Sequence, residues 1–243
     1  MKNRTISFIA LGIIVISAGC NKKSTDGLHD AFAEFDTDNC EIYIQDDEVV
    51  IETNGLTNHT SPYWSPSHAL YSAPTVTTTN ALAPGYIDDF NDSYTLRIST
   101  SPEIASSTST TGLGPIGISV TGAVIYNDEE GPGVPIDDAL VSLDYCGAHT
   151  GPNSYHYHLE PTAFSQDDTN LIGVISDGLF LYGRKCSSSG GYPSDLDASG
   201  GHTSTTQHNS NGEYHYHIQN SLYLNQYYIL FSGEYKGTPN TIQ

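Results

Sequence analysis

Beyond residue 20 no stretch holds a helical period; short runs of β-branched, aliphatic and aromatic residues recur between clusters of Gly, Pro, Asn, Asp and Ser. This pattern predicts strands over residues 41–44 and 48–52, as a hairpin turning at Asp46-Asp47, and over 95–99, 116–126, 140–145 and 154–160. Further strands are expected over 171–175 and 179–182, bracketing the tight-turn dipeptide Asp177-Gly178, and over 213–218 and 222–231. The Ser/Thr-rich segments 75–80 and 106–111 read as exposed strands or loops, and 187–191 as a loop. The expected fold is mainly β, a single-domain β-sandwich or irregular barrel with long loops over residues 28–243.

The N-terminus obeys a different pattern. Lys2 and Arg4 precede an apolar run over 6–16, too short to span a bilayer, and Ser17, Ala18 and Gly19 lead into Cys20. Residues 1–19 are therefore expected to be a lipoprotein signal peptide, with Cys20 the lipidation site and 20–27 a lipid-anchored tether. Ser17 departs from the aliphatic residue usual at that position. The chain is expected to be exported and held in the bacterial cell envelope, at the periplasmic face or the cell surface, with the membrane as its partner through the lipid.

Removing Lys2 and Arg4 leaves six basic residues against 28 acidic ones, a formal charge of −22. Such a surface repels nucleic acid and offers nothing to recruit phosphate. The sequence also lacks a Gly-x-Ser-x-Gly elbow, a phosphate-cradling Gly-x-x-x-x-Gly-Lys and a His-Glu-x-x-His, so the commonest visible hydrolase and nucleotide sites are missing. Asp36-Thr37-Asp38-Asn39 begins like a calcium loop but lacks the glycine and distal glutamate of an EF-hand, and reads as a turn cluster.

Chemistry is concentrated instead in a repeat. Tyr-His-Tyr-His occurs at Tyr155 to His158 and again at Tyr214 to His217, each after a Leu-Asp-x-x-Gly-x-His-Thr segment, so the two repeats cover 143–158 and 196–217. Alternation along a strand puts His156 with His158, and His215 with His217, on one face and the tyrosines on the other. His149 and His202 give each copy a third imidazole. Three neutral imidazoles suit Zn(II) or Cu(II) and leave a coordination position open, with occupancy expected to fall below about pH 6 as the ligands protonate. The six histidines form either two centres or one shared mono- or dinuclear centre. His208, in the longer second loop, is an extra candidate but reads as solvent-exposed.

Cysteine chemistry is compatible with export. Cys146 and Cys186 flank the first cluster and its following hairpin and are expected to pair as a disulfide, leaving Cys40. Alternatively the Cys146-Gly147-Ala148-His149 spacing places a thiolate on the metal of His149, although Ser199 occupies the matching place in the second copy.

The paired Tyr-His-Tyr-His strings, the preceding Cys146-Gly147-Ala148-His149 and Ser199-Gly200-Gly201-His202, and the Ile172-Gly173-Val174-Ile175-Ser176-Asp177-Gly178 run resemble the YHYH family of exported or lipid-anchored bacterial proteins. Thr53-Asn54-Gly55-Leu56-Thr57-Asn58-His59 is similar to the family's opening signature, so the resemblance covers most of 40–237. It adds His59 and Asp177 to the expected site. It also implies that Ser199 and the 231–237 segment lack cysteines common in such proteins, which fits a missing disulfide better than a missing ligand.

The leading expectation is an envelope lipoprotein binding Cu or Zn through His149, His156, His158, His202, His215 and His217. An enzyme reading, hydrolase or oxidoreductase, adds Asp177 or Asp144 as base at the open coordination position. A third reading is a metal-free β domain that binds a glycan, another small molecule or a protein partner.

Overall fold

A computed structural model describes residues 22–74, 81–90, 92–151 and 154–243. The expected signal peptide, Cys20 and the 75–80 segment lie outside the described residues. The protein is mainly β, as its alternating pattern requires. No helix among the described residues is long and apolar enough to cross a membrane.

Strands β1 (Cys40–Gln45), β2 (Glu48–Thr53) and β3 (Tyr94–Ser99) form an antiparallel three-stranded meander. Its first turn falls at Asp46-Asp47, both with positive φ, a conformation that short polar side chains tolerate. Asp36 Oδ1 accepts the backbone N–H of Asp38 and Asn39, so that cluster is a turn, as expected.

Eight further strands build a curled half-barrel sheet: β4 (Gly117–Ser119), β5 (Val124–Ile125), β8 (Ala148–Thr150), β9 (Tyr155–Tyr157), β10 (Leu171–Ile175), β11 (Phe180–Tyr182), β12 (Gly201–Ser204) and β13 (Glu213–His217). A separate ribbon joins β6 (Glu129–Gly131) to β7 (Val134–Pro135). The large sheet runs β12-β13-β11-β10-β4-β5-β9-β8, and this order is a palindrome. Each half is an antiparallel hairpin whose second strand takes a parallel Tyr-His-Tyr-His strand, which in turn pairs antiparallel with the strand carrying the third histidine. Where the halves meet, Gly117 pairs with Ile175 and Gly173 with Ser119 around Ile118 and Val174. The equivalence extends residue by residue: Ile116 to Asn127 corresponds to Ile172 to Gly183, with Thr121-Gly122 matching Asp177-Gly178 at the hairpin tips. The protein is thus an internal duplication of a unit larger than its histidine motifs.

The two glycines of the seam are required by close approach. A methyl group on Gly117 would lie 2.7 Å from the Val174 carbonyl oxygen, and one on Gly173 would collide with the Ile118 carbonyl. Gly173→Ala is expected to cost roughly 2–3 kcal/mol through strand separation at the seam, read as a lower denaturant midpoint with an unchanged slope. An unchanged midpoint would exclude this packing.

The two sheet faces have separate tasks. On one, Tyr155, Tyr157 and Tyr216 join Ile116, Ile125, Ile172 and Leu181 in the principal core. On the other, Ile118, Val174, Phe180 and Tyr182 pack against Val49, Ile51, Leu96 and Ile98 of the meander. Since Phe180 and Tyr182 share the histidine face, the meander covers the middle of that face and leaves the histidines at its two ends.

Three expected strands are corrected. The 116–126 run is a hairpin, because Gly122, at φ 105°, turns the chain. The 140–145 segment follows a 3₁₀ helix, Ile136–Ala139, and coils back, with Ser142 and Leu143 N–H both donating to the Ala139 carbonyl. Residues 222–231 form turns with single bridges, Tyr223 to Tyr227 and Leu159 to Ile229. Leu140, Leu143, Tyr223, Tyr227 and Ile229 of the last two segments fold under as a small satellite core with Ile136 and Leu159, while Leu230 and Phe231 reach the principal core.

Candidate metal centres

The sheet order separates the histidines into two groups, which removes the shared-centre alternative. His149 pairs across the ladder with His156, and His202 with His215, while His158 and His217 follow two residues on along the same face. In each trio the ligand atoms lie within 4.8 Å of one another, and all six imidazoles are buried.

Tautomers are set by what holds each Nδ1. His158 Nδ1–H donates to the Asn127 carbonyl at 2.7 Å, and His217 Nδ1–H to the equivalent Gly183 carbonyl at 2.7 Å. His215 Nδ1–H donates to the Glu213 carbonyl at 3.0 Å and His202 Nδ1–H to Asp195 at 2.9 Å. Ser142 spends its own hydroxyl hydrogen on the Ala139 carbonyl, so it accepts from His149 Nδ1 at 2.8 Å. In these five rings the Nε2 lone pair is left facing the centre of its trio, the arrangement that hydrogen-bonded metal ligands adopt. His158 Nε2 and His217 Nε2 are buried without a hydrogen-bond partner. His149 Nε2 and His156 Nε2 stand 3.0 Å apart, a distance at which two lone pairs need a cation or proton between them.

Each trio has a fourth group at an equivalent position. Four residues past Tyr126, on the β6–β7 ribbon, Glu130 Oε1 lies 3.4 Å from His149 Nε2 and 3.3 Å from His158 Nε2. Four residues past Tyr182, Cys186 Sγ lies 3.4 Å from His202 Nε2 and 3.9 Å from His215 Nε2. Tetrahedral Zn sites place nitrogen and oxygen ligands roughly 3.3 Å from one another, and sulfur roughly 3.5 Å from nitrogen. Cys186 groups with its three histidines as four donors for such an ion, whereas at the other end the three histidines group alone and Glu130 stands beside two of them.

Electrostatics differ between the two. Burial pushes His158 and His217 down to about 4 and His156 well below its ordinary value, and lowers His215. His156, His158 and His217 therefore remain neutral, ready to ligate, well below the pH 6 expected from unperturbed histidine. The His149 imidazole holds the Glu130 carboxyl below its usual range. Burial pushes the Cys186 thiol up, but hydrogen bonds with Ser188 and Ser204 outweigh it and leave the thiol below its ordinary value.

Several expected site residues stand elsewhere. Asp144 accepts from Ser61 Oγ at 2.6 Å, Tyr155 hydroxyl at 2.7 Å and the Cys146 N–H at 2.8 Å; it braces the loop before β8 from the tyrosine side. Asp197 does the same in the second copy, accepting from Tyr214 hydroxyl and the Ser199 N–H. Asp177 accepts from Tyr216 hydroxyl at 2.6 Å and the Gly237 N–H at 2.9 Å, and burial pushes its carboxyl up. Both candidate bases are thus braces behind the sheet, where the strand alternation separates them from the imidazoles. His59 is on that side too, its Nε2 2.8 Å from the Tyr157 hydroxyl.

The cysteine expectations also change. Cys40, Cys146 and Cys186 are free and buried. Cys146 lies against His59 in the principal core, its Sγ 3.5 Å from the ring, and burial pushes its thiol up to about 12. Cys186 is at the second histidine group. The expected Cys146–Cys186 bridge is therefore not formed, and the thiol that joins a histidine trio is Cys186 rather than Cys146. His208 is less exposed than expected, its Nδ1 3.0 Å from the Tyr182 hydroxyl, but it belongs to neither trio.

Residues 93–193 match the family described as YHYH protein. The YHYH match spans β3, the first complete histidine unit, the second hairpin and Cys186, and ends before His202. It is shorter than the resemblance read from motifs, since the Asn54-to-His59 segment and the second Tyr-His-Tyr-His lie outside it. Comparison with characterised proteins and with solved structures found no match.

Sequence reading missed Glu130, Asp195, Asp197 and the placement of Cys186. The available signal was the hairpin repeat, Ile-Gly through Tyr, which aligns Glu130 with Cys186; their unlike chemistry concealed the correspondence.

Proposed function

We propose that this protein is a cell-envelope lipoprotein, anchored through Cys20, that binds Zn or Cu at two separate centres. The observation that carries the metal reading is the convergence of buried, unprotonated Nε2 atoms whose Nδ1 partners point away from the group. In each trio one Nε2, that of His158 or His217, is buried without a hydrogen-bond partner, which is costly, and one ion at each centre would resolve it. The export signature supports an environment in which such a protein meets metal outside the cytoplasm. A metal-dependent hydrolase or oxidoreductase is the second reading, favoured by a cleft of about 610 Å³ that His149, His156 and His158 line together with Phe90, Leu113 and Tyr126.

Elemental analysis of the purified protein is expected to find two equivalents of transition metal. His156→Ala/His158→Ala should lose one and retain the other, and His215→Ala/His217→Ala should do the reverse. Protein free of metal that also takes up none on titration near neutral pH would refute the proposal.

A further inference from the structure

We propose that the two centres are chemically unlike: His149, His156 and His158 hold an open, ligand-exchanging centre with Glu130 beside its free position, whereas Cys186 closes a thiolate-bound centre with His202, His215 and His217. This rests on the metal-binding reading and deepens it.

The duplication supplies the argument. Glu130 and Cys186 occupy the same place in the two units, three residues beyond the Asn127 and Gly183 carbonyls that fix His158 and His217. At that place one unit offers a carboxylate and the other a thiol. The thiol is wholly buried and sits 3.4 Å from His202 Nε2, so a metal there meets four protein donors and has no corner left for solvent. Thiolate ligation selects softer ions, Zn(II) or Cu(I).

At the other end the fourth group is a carboxylate whose side chain keeps a quarter of its surface exposed, on the wall of the cleft that the three imidazoles line. A carboxylate beside an ion that three histidines hold would accept a proton from water at the fourth corner. With Glu130 beside the ion rather than on it, the centre retains a position that a small coordinating ligand, water or an anion, reaches from the cleft. The partners behind the trios diverge as well: the ring of His202 donates to the Asp195 carboxylate, while that of His149 donates to the neutral Ser142 hydroxyl. A carboxylate partner raises the basicity of its imidazole and strengthens the closed centre.

Titration of the metal-free full-length protein with Co(II) reads both centres, with azide as the probe ligand. Two equivalents are expected to bind, one of them with a near-ultraviolet thiolate-to-cobalt charge-transfer band. Azide should shift the visible d–d absorption of the other equivalent and leave the charge-transfer band unchanged. Cys186→Ser should abolish the charge-transfer band while keeping the azide response, and Glu130→Gln should alter the azide response alone. A charge-transfer band absent from the wild type, or displaced by azide, overturns the assignment without need of a variant. So does an azide response absent from the wild type, or a charge-transfer band that survives in Cys186→Ser. Failure to bind any Co(II) would overturn the metal-binding reading itself, whereas two equivalents with identical spectra would overturn only the inference.

Discussion

Chelation is expected to lower the melting temperature of the metal-loaded protein by roughly 20 °C. A ligand that binds only the native state stabilises by about 4 kcal/mol when its free concentration is a thousand times its dissociation constant. Two centres at opposite ends of the sheet share no donor, so their contributions are expected to add. For a body of this size each kcal/mol corresponds to about 2–4 °C. Calorimetry with and without chelator measures the difference directly, and comparing each variant with its own chelated form cancels the packing defect that His→Ala introduces. His156→Ala/His158→Ala and His215→Ala/His217→Ala should each keep about half of the wild-type chelator effect. A melting temperature indifferent to exhaustive chelation, in protein first incubated with excess Zn, would leave the buried imidazoles without the ion assigned to them.

What the sequence discloses about these centres follows from period and turn chemistry. The two-residue alternation of Tyr155 to His158 and Tyr214 to His217 correctly separates a core face from a ligand face, because a strand allows no other assignment. Asp46-Asp47 and Asp177-Gly178 announce their turns through residues that accept the required backbone. Thr121-Gly122 turns in the same way but lies inside an unbroken β-rich run, so composition fuses two strands into one. The 140–145 and 222–231 segments are apolar for a different reason: as turns they send side chains into the satellite core, and Leu230 and Phe231 into the principal one, and that burial leaves the same compositional trace as a strand. The aspartates misread as bases are polar residues hydrogen-bonded behind the sheet, and only the fold distinguishes a brace from a ligand. Glu130 and Cys186 became visible as partners only once the sheet order showed which positions correspond.

Burial of the histidines makes a second strong effect unavoidable, and its sign can be worked out from the folded-state values. In the unfolded chain a histidine protonates near 6.5, whereas His158 and His217 in the metal-free native protein are held down to about 4 by burial. Between these limits the unfolded chain binds more protons than the native one, so unfolding free energy falls as pH is lowered through this window. Stability is therefore complete above about pH 6.5 and declines towards pH 4, by an amount of order 3 kcal/mol for each of the two residues. The metal-free protein should thus show a denaturant midpoint that drops steeply from pH 6.5 to 4, and His156→Ala/His158→Ala should flatten the slope. With metal bound, the onset stays with the unfolded chain near pH 6.5, and the decline becomes steeper because every ligand of the ion stays unprotonated in the native state while it protonates in the unfolded one. A midpoint for the metal-free wild type that is flat across this window would mean that the imidazoles titrate as freely as in the unfolded chain, and that they are not buried neutral ligands at all.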